Sequence, residues 1–122
     1  MKTEELGDAS LETLTSNYAS AAAAHGLSST TGDHCQANKE YKTLAEICKE
    51  LRRRGIDAQK HLLSLLDNKT PYVRLWAASH SLEFSPKSAE NVLEHLAKCG
   101  GVPGFDAEIT LQEWRKGTLK FP

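Results

Sequence analysis

Between Leu62 and Phe84 the chain reads LLSLLDNKTPYVRLWAASHSLEF, two helices and a tight link. Leu62, Leu63, Leu65 and Leu66 form one apolar block, and Asp67-Asn68-Lys69 interrupts it with turn-forming polar residues. Thr70 then offers a side-chain oxygen as an N-cap. Pro71 stands at the first helical position, where its missing N–H costs least. Val73, Ala77, His80 or Ser81 and Phe84 follow at helical spacing on one face, and Arg74, Ala78 and Leu82 or Ser81 on the next. Two adjacent apolar faces predict a helix covered on two sides, and the small pair Ala77-Ala78 lets neighbouring helices come close.

The flanking chain has the same character. Ser10 as N-cap, with Leu11, Leu14, Tyr18, Ala21 or Ala22 and His25 at helical spacing, predicts a first helix over 10–25, with Gly26 as its breaker. Residues 26–33 read as a loop by composition. A second helix is expected over 34–54, striped by Ala37, Tyr41, Leu44, Ala45, Cys48 and Leu51 and stopped by Gly55. The third covers about 57–66 and the fourth opens at Pro71. Ser85-Pro86 repeats that start for the fifth, which carries Ala89, Val92, Leu93, Leu96 and Cys99 and closes at Gly100-Gly101. Val102–Phe105 reads as a short loop in which Phe105 plugs against helix four. Asp106 caps a sixth helix with Ala107, Thr110, Leu111 and Trp114 on one face, Trp114 in the core, and Gly117 as its end. Residues 1–8 and 118–122 read as loose tails around a single domain.

The 122 residues suffice for one hydrophobic core. Fifteen basic against sixteen acidic residues leave a net charge of −1, and the pI is about 6.5, which disfavours nucleic acid as a partner. No apolar run approaches the roughly 18 residues a membrane span needs, and the acidic start Met1-Lys2-Thr3-Glu4-Glu5 is no secretory signal. Cys35, Cys48 and Cys99 are odd in number and lack paired spacing, which fits a reducing compartment and a cytoplasmic location.

Two resemblances follow from these residues. Leu62, Leu63, Leu65, Leu66, Asp67, Pro71, Val73, Arg74, Ala77, Ala78 and Leu82 together resemble a HEAT-type repeat. That resemblance implies that Arg74 and the Asp67 turn brace one another, and that the B helices line a concave face. More widely, Asn38-Lys39-x-Tyr41, Glu50-Leu51-Arg52-Arg53-Arg54-Gly55 and Asp106-Ala107-x-x-Thr110-Leu111-x-x-Trp114, with the central stretch between, resemble a small bacterial family catalogued as a domain of unknown function. This implies a compact α-α superhelix with at most an interaction role, immunity-like in relatives near toxin loci, and brings no catalytic residues. The fold expected is therefore all-α, a compact α-α superhelix of about six helices in HEAT-like pairs. Helix one and the 105–114 segment would cap its ends.

The sequence carries little recognisable catalytic or metal-binding chemistry. His95 and Cys99 are four apart on one helical face, but two ligands do not make a metal site, and no CxxC or HExxH is present. His34-Cys35 would have to converge on them. His80 reads as a satisfied core histidine rather than a base. No G-x-S-x-G, phosphate loop or spaced acidic pair occurs, so no catalytic residue and no cofactor is implied. Arg52, Arg53 and Arg54 crowd a helix C-terminus, where cations are favoured. They could instead recruit an acidic partner or, with Lys49, Lys116 and Lys120, nucleic acid.

What is left is a surface. Tyr72, Trp76, Ser79 and Glu83 are spaced four, three and four, a stripe outside both apolar faces of helix four. Aromatic residues at such positions suit a binding hot spot. These four, joined by Glu108, Gln112 and Arg115 of helix six, are the expected partner-binding residues, with Trp76 either exposed or packed under a neighbouring helix. The expectation is a non-catalytic protein-interaction module, regulatory or immunity-like, whose partner is another protein. Self-association stays open. The alternatives are a small metal- or ligand-dependent enzyme using His80, His95 and Cys99, or a weak nucleic-acid binder.

Overall fold

The computed structural model describes residues 3–122. Seven α-helices follow one another among them: α1 (Thr3–Asp8), α2 (Leu11–Thr31), α3 (His34–Arg54), α4 (Ile56–Gln59), α5 (Pro71–Ser81), α6 (Pro86–Cys99) and α7 (Gly101–Lys116). A 3₁₀ helix, Lys60–Leu65, continues α4. The fold is all-α. The chain forms two compact units, one running to His61 and taking in Pro122, the other spanning Leu62–Phe121.

In the first unit α2 and α3 lie against each other, and α3 also carries α1 and α4. Leu14, Tyr18, Ala21 and Ala22 of α2 and Leu44, Ile47, Cys48 and Leu51 of α3 are buried. Ser10 caps α2 as its sequence predicts, accepting from the Thr13 N–H at 3.1 Å. Gly26 does not stop that helix. It is buried within α2, which runs on to Thr31 and closes at Gly32. The polar residues that read as a loop tie themselves to the helix instead. The Thr30 hydroxyl donates to the Gly26 and Leu27 carbonyls, and the Thr31 hydroxyl to those of Leu27 and Ser28.

The third predicted helix is a single α turn followed by 3₁₀ structure. The looseness expected of residues 1–8 does not hold where they are described; residues 1 and 2 lie outside that range. Thr3–Asp8 is helical, Leu6 is buried, and Arg54 donates to the Leu6 and Gly7 carbonyls.

In the second unit α5, α6 and α7 all touch one another. Leu75 and Ala78 of α5 with its C-cap Leu82, Ala89, Leu93 and Leu96 of α6, and Ala107 and Leu111 of α7 make its core. The alternation of leucine with alanine lets the three helices interlock closely. Thr70 occupies the cap position of α5, but its hydroxyl makes no capping bond. Asn68 supplies one instead, its Oδ1 accepting from the Thr70 N–H at 2.9 Å. Arg74 braces this turn through backbone, donating to the Asn68 and Lys69 carbonyls at 2.6 and 3.4 Å.

The sixth helix begins five residues before the expected cap at Asp106. Gly100 and Gly101 both have positive φ, 76° and 73°, so α6 ends and α7 starts with a single residue between them. Gly104 lies where α7 presses on α6. A Cβ there would stand 2.7 Å from the Leu96 carbonyl oxygen, so only glycine allows the contact. The tail after Gly117 is not loose either. Leu119 and Phe121 pack on the core, and the Phe121 ring meets Trp114 edge-on, centroids 6.2 Å apart.

Candidate functional site

Helix α5 is buried around almost its whole circumference. Leu75, Ala78 and Leu82 face the α6–α7 core, while Val73, Ala77, His80 and Ser81 are buried on its other sides. What stays partly open is the stripe picked out by spacing: Tyr72, Trp76 and Ser79 are half-buried and Glu83 is exposed. Tyr72 leans on the core margin. Burial, and then the nearby Asp106 carboxylate, push its hydroxyl above the usual tyrosine range. The Trp76 ring sits over His80, centroids 5.6 Å apart, and the Ser79 hydroxyl is turned back onto the Leu75 carbonyl at 2.7 Å. So this stripe is only partly open, with two half-buried aromatic rings and a half-buried hydroxyl beside the exposed Glu83.

Glu108, Gln112 and Arg115 are brought together on α7, with α6 alongside. With Leu111 they form one wall of a shallow groove of about 500 Å³ whose other wall is Glu94, Ala97 and Lys98 of α6. Leu111 and Ala97 give it an apolar floor. Arg115 closes one end, its guanidinium 2.7 Å from a Glu94 carboxylate oxygen and 3.7 Å from one of Glu90. Both ion pairs are well exposed and add little stability. They do orient the rim.

Beside the groove lies a feature the sequence reading missed. Val102, Phe105 and Ile109 are 50, 62 and 38% exposed, and their spacing of three and four puts them on one face of α7. Phe105, expected to plug a loop against the helix that opens at Pro71, lies within α7 and is largely exposed. The signal was present as helical spacing, but the composition Gly-Gly-Val-Pro-Gly concealed it. Trp114, expected in the core, packs at its margin and is half-buried.

The remaining candidates are largely engaged in structure. Arg53 and Arg54 both bind the Glu50 carboxylate, at 2.5 and 2.7 Å, and hold it down to about 2. Arg52 donates to the Pro122 carbonyl, which packs with that unit. The three arginines thus secure the end of α3. Cys99 Sγ lies 3.7 Å from His95 Nε2, both residues exposed. Among the described residues no group of three or more His, Cys, Asp or Glu side chains could hold a metal ion. His80 is buried, as expected. The Ser81 hydroxyl is buried with no hydrogen-bond partner among the described residues. No helix among those residues is long and apolar enough to cross a membrane.

Comparison with known proteins places the architecture. The family model described as "Domain of unknown function (DUF2019)" matches residues 11–114. The crystal structure of the protein RPA1889 from Rhodopseudomonas palustris CGA009 is similar, at 26% identity and a TM-score of 0.89, with 96% of this chain and 98% of that one covered. No curated protein gives a significant match.

Proposed function

Since the chain belongs to the family described as Domain of unknown function (DUF2019), whose description prescribes no chemistry, we propose from its geometry that it is a non-catalytic protein-interaction module. The α6–α7 groove is its binding surface and another protein is its partner. The observation that carries this is the construction of the groove: an apolar floor of Leu111 and Ala97 within a rim of Glu94, Lys98, Glu108, Gln112 and Arg115. Protein interfaces are built the same way, apolar at the centre and polar at the edge. The Glu94–Arg115 pair supports recognition rather than reaction, because each charge is already partnered by the other. The HEAT-like pattern of α5 fits the same reading, with α5 as the buried support that holds α6 and α7 in place. Three free thiols, two of them exposed, support a cytoplasmic setting.

A photo-crosslinking side chain at Gln112, with a second variant carrying it at exposed Lys42 as control, tests the proposal in cells. A discrete protein adduct from position 112 and none from 42 is expected. Equal labelling at both positions, or none at 112, would overturn it.

A further inference from the structure

Six large apolar residues are exposed among the described residues, and three of them, Val102, Phe105 and Ile109, occupy two turns of α7. The opposite face of that helix, Gly104, Ala107 and Leu111, is the one that packs. Turning by about 100° per residue, the helix sets Asp106 and Glu113 along one flank of the apolar stripe and Glu108 along the other. All three are exposed. Of the nearby cations, Arg115 is committed to Glu94 and Glu90, Lys98 of α6 lines the groove with Glu108, and Lys116 stands on the line of the stripe about two turns beyond Ile109. Between Val102 and Ile109 the stripe is therefore apolar along its centre, with Asp106 and Glu113 on one side and Glu108 on the other.

Resting on the reading of the adjoining α6–α7 groove as a protein-binding surface, we infer that the α7 stripe docks a basic amphipathic helix of a partner protein. Apolar side chains at i, i+3 or i+4 and i+7 of that helix would cover Val102, Phe105 and Ile109, and its lysines or arginines would meet Glu108, Asp106 and Glu113. Helices dock into apolar surfaces with this spacing, and complementary charge selects the partner. The same charges disfavour a second copy of this chain. Across a two-fold axis through the middle of the stripe, Asp106 would face its own copy, and like charges opposed in an interface are costly. They also repel phosphate, whether of nucleic acid or of an anionic membrane surface.

The test uses the full chain and a fluorescent helical peptide of roughly 18 residues, long enough to hold helix, with leucines at i, i+4 and i+7 and lysines on both flanks. A counterpart carries glutamate for every lysine. Saturable binding of the basic peptide is expected, weakened by salt, and weakened about tenfold by Phe105→Ala and by Glu108→Lys with Glu113→Lys, with no binding of the acidic counterpart. Phe105 is so exposed that its truncation leaves the melting temperature unchanged, and Ile109→Ser repeats the test at a second position. Failure of the basic peptide to bind, equal binding of both peptides, or equal binding by Phe105→Ala would overturn the inference. So would a dimer in sedimentation that Phe105→Ala dissolves, since the occupant would then be a second copy. An adduct at Gln112 that persists in Phe105→Ala would leave the groove reading standing while this one fails.

Discussion

Replacing Gly104 with alanine should destabilise the protein, against the usual rule for a glycine inside a helix. In an open helix the change gains about 1 kcal/mol of propensity. Here the added Cβ would lie 2.7 Å from the Leu96 carbonyl oxygen, and ordinary contact begins near 3.4 Å. The obstacle is backbone, so no side chain can swing aside. Helix α7 must retreat by about 0.7 Å, the difference between those distances. A gap of that size forfeits roughly a quarter to a half of each contact it opens, and Ala107 and Leu111 make theirs on the same face. Overpacking of this kind costs about 1–3 kcal/mol, so the net loss after the propensity gain is up to about 2 kcal/mol. At roughly 4 °C per kcal/mol, the melting temperature should fall by up to about 8 °C. Gly7→Ala is the control, because a Cβ there meets nothing within 4 Å. Urea and thermal melts followed by circular dichroism give the two values. A Gly104→Ala protein more stable than the parent would refute the close approach of α7 to α6.

Three further expectations concern stability. Glu50 is held down to about 2 by Arg53 and Arg54, so its contribution is complete above its unfolded value near 4.5 and is lost as pH falls towards 2. Glu50→Gln should therefore melt lower than the parent at neutral pH, with the two curves converging between about pH 4.5 and 2; a gap that stays constant over that range would contradict the ion pair. Ser81→Ala removes a buried, unpartnered hydroxyl and should leave the melting temperature unchanged or raise it by the equivalent of up to about 2 kcal/mol, whereas a loss would reveal a bond that this serine makes. Truncating half-buried Tyr72 to alanine should cost about 1.5–2.5 kcal/mol, roughly half the value for a fully buried ring, and Tyr72→Phe should recover most of it; full stability of Tyr72→Ala would place the ring outside the core margin.

Where an element announces itself by several agreeing signals, the sequence is enough to find it. Pro71 and Pro86 open α5 and α6, and Gly55 and Gly117 close α3 and α7, because these residues act through their own backbones whatever surrounds them. Gly26 and Gly104 mislead for the opposite reason. Each lies inside a helix whose continuation depends on what it packs against, and local propensity carries no record of the neighbour. The same gap governs the candidate surface. The stripe on α5 was found by spacing, but its burial depends on neighbours on nearly every side. Glu108, Gln112 and Arg115 were found as additions to it, and the structure makes them one wall of a groove completed by α6. Phe105 was legible as a bulky residue and misread as a plug, because an apolar side chain assigned to a loop has no face to which it can belong.

The joint at Gly100-Gly101 makes α6 and α7 a keyed pair rather than two hinged rods. With a single residue between the helices there is no slack to absorb a change of length. One residue inserted immediately after Gly101 would turn everything beyond it by about 100°, carrying Ala107 and Leu111 towards water and driving charged side chains into the space they leave. Length variation at that joint is therefore closed to this chain, whereas the sequence of the exposed face is free to change. A fold locked in this way can alter what it binds one side chain at a time, without altering where the binding face points.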